Sequence, residues 1–203
     1  MKPLIRQDRK TNLFFSLLAI ASDVCSKNLS LVPRKLLTAK VYIDDTVIFE
    51  VANLIEISLK LTGRGWLEAI LKGDDAESII SASYLSDAPS DLIKSVILLL
   101  EGVKESKCEW QIEPGEYRWL LKKESDFVHI QIVLLNQSFS RQSKGQVVFI
   151  GTGDLLEFAL SIMCGFSRIA LEYPADDYMN LWGHEFPVEA LGRLNKAIKK
   201  MKG

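Results

Sequence analysis

The chain has 203 residues, with 25 lysine and arginine residues against 26 aspartate and glutamate residues, and 48% of its residues are hydrophobic. This balance excludes a disordered tail, which would have fewer apolar residues and a net charge far from zero. It also argues against a nucleic-acid-binding module, because such modules carry a basic excess.

The first 38 residues are predicted to form a helical appendage and a connector, followed by a single domain at 39–203. Four basic residues precede the apolar stretch Leu13–Ala21, which ends in an A-x-A-like pair typical of a secretory signal peptide. However, Asp8 lies among the basic residues and the apolar run is short, which favours an ordinary amphipathic helix. We therefore predict a cytoplasmic protein, with export as the alternative.

Few residues are suited to metal binding or nucleophilic catalysis. Cys25, Cys108 and Cys164 contain no C-x-x-C pair, so we expect three structural thiols in a reducing compartment. His129 and His184 are the two histidines, which argues against a catalytic triad or a histidine-rich metal site. We predict no metal, no cofactor and, because no apolar run reaches about 18 residues, no membrane span.

The hydrophobic patterns in the first half of the domain predict both strands and helices. Apolar residues around Asp44–Thr46 predict a β-hairpin at about 41–51. Spacings of three and four residues then predict a helix from about Asn53 to Ile70, interrupted by glycines. Ser78–Leu85 fits either a strand or a helix, and its β-branched residues favour a strand. A helix is predicted at Leu92–Val103, after the proline that marks its start.

The second half gives the clearest pattern. Three alternating segments joined by tight turns predict an antiparallel meander at about 107–135. A loop at Asn136–Gly145, a short strand at 147–150 and a helix from Leu155 to Tyr173 follow. We expect a loop at 175–186 and a last helix with Pro187 in its first position. The order of elements predicts an α+β fold, an antiparallel sheet packed by helices, two of them C-terminal.

The loop at 174–187 holds the densest group of unusual residues. His184 lies between Trp182 and Glu185, and Asp176 and Asp177 precede them. A histidine beside carboxylates could perform acid–base chemistry or bind a ligand. The alternative is a structural loop in which aromatic residues pin the chain and His184 forms a hydrogen bond, and lone histidines favour this interpretation.

Acidic and aromatic residues mark the meander. Glu109, Glu113 and Glu116 are expected on its solvent face, where they could attract a basic protein partner. Trp110, Tyr117 and Trp119 could form a stacking platform, but the alternation favours packing in the core.

Two segments carry a family resemblance, Glu113–Trp119 (EPGEYRW) and Trp182–Pro187 (WGHEFP). They resemble uncharacterised bacterial proteins of about this size, in which such a hairpin precedes two helices joined by a WGHxFP-like loop. The resemblance covers residues 40–200. It implies an immunity protein of a bacterial toxin system, since some proteins of this kind are regarded as such.

The sequence therefore leaves two hypotheses about function. The first is a non-enzymatic protein-binding module, such as an immunity or adaptor protein. The second is a small enzyme or ligand-binding protein with its site at 174–187.

Overall fold

The computed structural model describes residues 37–43, 46–51, 55–73, 77–136 and 145–203. These ranges contain only antiparallel strand pairs, as the α+β prediction requires. The strands are β1 (Leu37–Ile43), β2 (Thr46–Val51), β3 (Glu56–Gly63), β4 (Trp66–Lys72), β5 (Glu77–Ser83), β6 (Glu105–Gln111), β7 (Glu116–Glu124), β8 (Phe127–Leu135) and β9 (Gln146–Asp154). The helices are α1 (Ala88–Leu100), α2 (Leu155–Glu172), α3 (Ala175–Trp182) and α4 (Val188–Lys202).

Both predicted antiparallel motifs are confirmed. β1 and β2 pair as a hairpin, with Val41 opposite Ile48. β6, β7, β8 and β9 form one four-stranded sheet in chain order, which contains the predicted meander. The predicted N-terminal helix and most of the predicted loop Asn136–Gly145 lie outside the described residues.

The helix predicted between Asn53 and Ile70 is wrong. β3 and β4 form a hairpin there, and β5, as the strand prediction expected, completes a three-stranded sheet. Residues 55, 57, 59 and 61 are buried, while the polar residues between them are exposed, which is the two-residue period of a strand. Gly65 forms the turn with φ of +76°, a conformation that glycine adopts at little cost.

The loop predicted at 175–186 is also wrong in its first part, because α3 occupies Ala175–Trp182. Gly183, with φ of +93°, ends this helix in the left-handed conformation common at helix ends. Pro187 lies immediately before α4 rather than inside it. The predicted strand near Val147 extends to Asp154, whose side chain accepts a hydrogen bond from the Glu157 N–H and caps α2.

A single hydrophobic core joins the inner faces of the three-stranded and four-stranded sheets to the helices. Its largest members include Trp110 and Trp119, fully buried with ring centroids 4.9 Å apart, so the predicted core role of these two tryptophans is confirmed. α2 lies close to β3 at Gly165, where a Cβ would be 3.1 Å from Leu59 Cδ1. Within the described residues, no helix combines the length and the apolar character needed to cross a membrane.

Candidate functional site

A short connection between β5 and α1 joins the two regions that the sequence singled out. We call residues Tyr84–Ser86 the bridging segment. The Tyr84 N–H donates a hydrogen bond to the Gly65 carbonyl at 2.9 Å, which ties the segment to the β3–β4 turn. Tyr84 and Leu85 are nevertheless 52% and 56% exposed. Two large apolar side chains therefore face solvent on a short, anchored segment.

The first region, the α3–α4 connection, holds the bridging segment through a histidine. His184 Nε2 donates a hydrogen bond to the Tyr84 carbonyl at 2.7 Å. Trp182 is fully buried, and its ring centroid lies 6.1 Å from that of His184. Trp182 therefore anchors the connection in the core, and His184 positions the bridging segment.

The carboxylates near His184 lie on exposed positions. Asp176 and Asp177 occupy the exposed first turn of α3, where negative charge suits the helix dipole. Glu185 is exposed as well, although it has an interaction partner. Across the described ranges, no group of three or more histidine, cysteine, aspartate and glutamate side chains could hold a metal ion.

The second region is a cavity of about 430 Å³ at the β6–β7 hairpin. It lies between the bridging segment, the first turn of α1 and the hairpin. Three carboxylates line the cavity, those of Asp91, Glu109 and Glu113. The apolar lining residues are Leu85, Ile112 and Pro114, and the neutral polar ones are Ser86 and Gln111. The structure thus places two of the three acidic residues singled out from the sequence in one cavity.

Glu116 does not lie on the solvent-exposed surface, as the alternation suggested, because its side chain is 1% exposed. Arg118 Nη2 forms a short ion pair with one of its carboxylate oxygens, and Gln111 Nε2 donates to the other at 3.1 Å. Arg118 Nε also lies 3.4 Å from Glu109, so one guanidinium connects a buried and a partly exposed carboxylate. Glu116 is therefore a structural support behind the cavity.

Side-chain hydroxyls fix the cavity wall to the edge of the sheet. The Gln111 N–H donates to Ser86 Oγ at 3.2 Å, and Ser95 Oγ of α1 donates to the Lys107 carbonyl at 3.0 Å. Both backbone groups belong to β6, an outer strand of the four-stranded sheet. The bridging segment and α1 therefore hold this strand at two points.

The cysteines differ from the expectation of three reduced thiols. Cys108 is free and buried, and burial raises the pKa of its thiol far above the usual range, which makes it unsuited as a nucleophile. Cys164 is disulfide-bonded.

Tyr84, Leu85, Ser86 and Asp91 were not singled out from the sequence. Their grouping with the hairpin depends on pairing between distant segments, and the Tyr84–Leu85 pair was the one local signal. In the comparisons with known proteins, the sequence matches no protein-family model, and no curated protein or solved structure is significantly similar to it.

Proposed function

We propose that this chain is a non-enzymatic protein-binding module that presents the bridging segment and the β6–β7 hairpin to a protein partner. One observation supports this most strongly: Tyr84 and Leu85 are more than half exposed on a segment held by His184 on one side and Gln111 on the other. Pre-positioned side chains, aromatic ones such as tyrosine above all, supply much of the affinity of protein interfaces, because little conformational freedom is lost when they bind.

The biological context that we propose is immunity to a bacterial toxin, and its support is the resemblance of the EPGEYRW and WGHEFP segments. The partner would then be a toxin encoded beside this chain. Calorimetric titration of this protein with the purified product of the adjacent gene tests the proposal. If the two proteins do not bind, the immunity role is refuted.

The same titration locates the binding surface. Leu85→Ser should weaken binding about tenfold, because truncating an interface anchor typically costs over 1 kcal/mol. Ile79→Ser is the matched control, since Ile79 is 59% exposed but lies within β5, away from the bridging segment. Equal effects of the two substitutions would contradict the proposed surface.

The alternative, an enzyme or ligand-binding protein centred on residues 174–187, has less support. His184 Nε2 is engaged by a backbone carbonyl, and Asp176 and Asp177 serve the helix start. This arrangement agrees with the structural interpretation of the segment.

The disulfide at Cys164 supports export, the alternative to the cytoplasmic location that the sequence favoured, because disulfides persist in oxidising compartments. We propose that the native protein works in such a compartment. Intact-mass analysis of alkylated native protein, before and after reduction, tests this. If all three cysteines of the isolated protein are alkylated before reduction, the protein has no disulfide, and the proposal of an oxidising compartment is refuted.

A further inference from the structure

The charged residues that line the cavity at the β6–β7 hairpin are all acidic. Asp91, Glu109 and Glu113 line it, and no lysine or arginine is among its described lining residues. Lys94 and Lys107 approach two of these carboxylates at 3.5 and 3.6 Å, but both lysine side chains are more than half exposed. Exposed pairs of this kind contribute little and separate easily, so the two lysines do not prevent another cation from binding, and only Glu109 is also held by a less exposed cation, Arg118.

Glu113 is the most available of the three carboxylates. It is exposed, and within the part of the chain that the structure describes it forms no ion pair. It lies in the turn between β6 and β7, whereas the Glu109 side chain is 38% exposed and faces Arg118 Nε at 3.4 Å. Glu113 is therefore the carboxylate of this cavity that is most free to pair with a cation from a partner.

The remaining walls suit an aliphatic chain. Leu85, Ile112 and Pro114 provide apolar surface between the carboxylates. Lysine and arginine combine an aliphatic stem with a cationic head, and such side chains bury the stem along apolar surface. A bare metal ion would gain nothing from these walls, and an acidic or purely apolar side chain would be disfavoured by the carboxylates.

We propose that this cavity receives a lysine or arginine side chain of the protein partner, while Tyr84 and Leu85 contact the apolar residues beside it. This inference rests on the proposed function and specifies the chemistry of the partner: a segment with a basic residue next to an apolar one. Charge complementarity of this kind fixes the position of a partner and speeds its association.

The test uses N-acetyl-arginine amide as the probe and its neutral isostere, N-acetyl-citrulline amide, as the control. In two-dimensional ¹⁵N NMR spectra of the full chain, the arginine compound should shift the amides of Gln111–Gly115, with millimolar affinity that falls as salt is added. The citrulline compound should leave them unchanged. Equal shifts from both compounds, or arginine-specific shifts mapping elsewhere, would overturn the proposal.

Two variants of equal charge sharpen the result. Glu113→Gln should weaken arginine binding at least threefold, whereas Glu105→Gln, an exposed position at the other end of the same β6–β7 pair, should leave it unchanged. Equal weakening would refute the cavity as the site. If arginine does not bind but Leu85→Ser still weakens the partner complex, this inference fails and the proposed function stands. If arginine binds at the cavity but Leu85→Ser leaves the partner complex unchanged, the cavity is a cation site and the proposed partner surface fails.

Discussion

Glu109 and Glu116 allow a direct test of how burial determines the contribution of an ion pair to the free energy of unfolding. Both carboxylates contact the guanidinium of Arg118, one from β6 and the other from β7. They differ in environment, since the Glu109 side chain is 38% exposed and the Glu116 side chain is 1% exposed. We compare Glu116→Ala with Glu109→Ala.

The expected costs follow from that difference. Glu109→Ala removes two weak, partly exposed ion pairs, with Arg118 and with Lys107, for which we expect a combined cost of about 0–1 kcal/mol. Glu116→Ala leaves Arg118 and Gln111 without their buried acceptor, a loss that reaches about 3–5 kcal/mol for a fully buried pair. Because Arg118 is 31% exposed and keeps Glu109, we expect about 2–3 kcal/mol instead.

Urea unfolding followed by fluorescence and circular dichroism measures both free energies. For a chain of this length, each kcal/mol corresponds to about 2–4 °C in the midpoint of thermal unfolding. Arg118→Met should reduce the penalty of the Glu109 substitution and leave the buried Glu116 carboxylate without its cation, although Gln111 still donates to it. The coupling energy of Arg118 should therefore be larger with Glu116 than with Glu109.

Similar losses for the two alanine variants, or a loss below 1 kcal/mol at Glu116, would show that the burial of this network does not determine its strength. The placement of Glu116 behind the cavity would then be incorrect.

Three further outcomes are expected. Gly192→Ala should stabilise the chain by about 0.5–1 kcal/mol, because alanine favours a helix more than glycine does and its Cβ would meet nothing within 4 Å. Gly165→Ala should gain less or lose stability in the same thermal assay, because its Cβ would lie 3.1 Å from Leu59. Burial, with a smaller effect of a nearby aspartate, raises the pKa of Glu157 above 4.5 in the folded state. Its ionisation therefore destabilises the fold at neutral pH and this penalty disappears as pH falls towards 4.5, so the stability of the native chain relative to Glu157→Gln should rise between pH 7 and 4.5. Cys108 should resist iodoacetamide at pH 8 until urea unfolds the chain, and fast labelling of the native protein would contradict its burial.

The sequence predicted the meander well because local pattern and tertiary role agree there. Cys108, Trp110 and Trp119 are apolar at alternate positions, and the tight turns leave one way to pair the strands. In the structure these three residues are buried, as the alternation predicted. The same reasoning placed Glu116 outside, since alternation says which face a residue occupies but not whether another part of the chain covers that face.

The error at Asn53–Ile70 has a related cause. Ile57 and Leu61 are four residues apart, which suits a helix, but Leu59 between them is apolar too, so the segment satisfies both periods. The structure resolves the ambiguity through pairing: the turn at Gly65 brings β4 back beside β3, and the two strands hydrogen-bond. Pairing of that kind joins separate segments and is not expressed in any single window of sequence.

The candidate site depends on such non-local contacts even more strongly. The sequence indicated His184 and Glu113 as members of two separate candidate groups, and neither group includes Tyr84. The hydrogen bond from His184 to the Tyr84 carbonyl and the bond from Gln111 to Ser86 bring the two regions to opposite ends of one three-residue segment. Contacts between residues 100 positions apart in the chain cannot be read from spacing.

The hydroxyl contacts on the outer strands of the four-stranded sheet restrict how a partner can attach to that sheet. A partner strand that extended the sheet beside β6 would have to displace Ser95 from the Lys107 carbonyl and Ser86 from the Gln111 N–H. At the opposite edge, Ser78 Oγ already donates to the Val148 carbonyl of β9. Recognition by β-augmentation is therefore disfavoured at both edges of the four-stranded sheet, and a partner that binds beside this sheet would have to be selected through side chains rather than through backbone pairing.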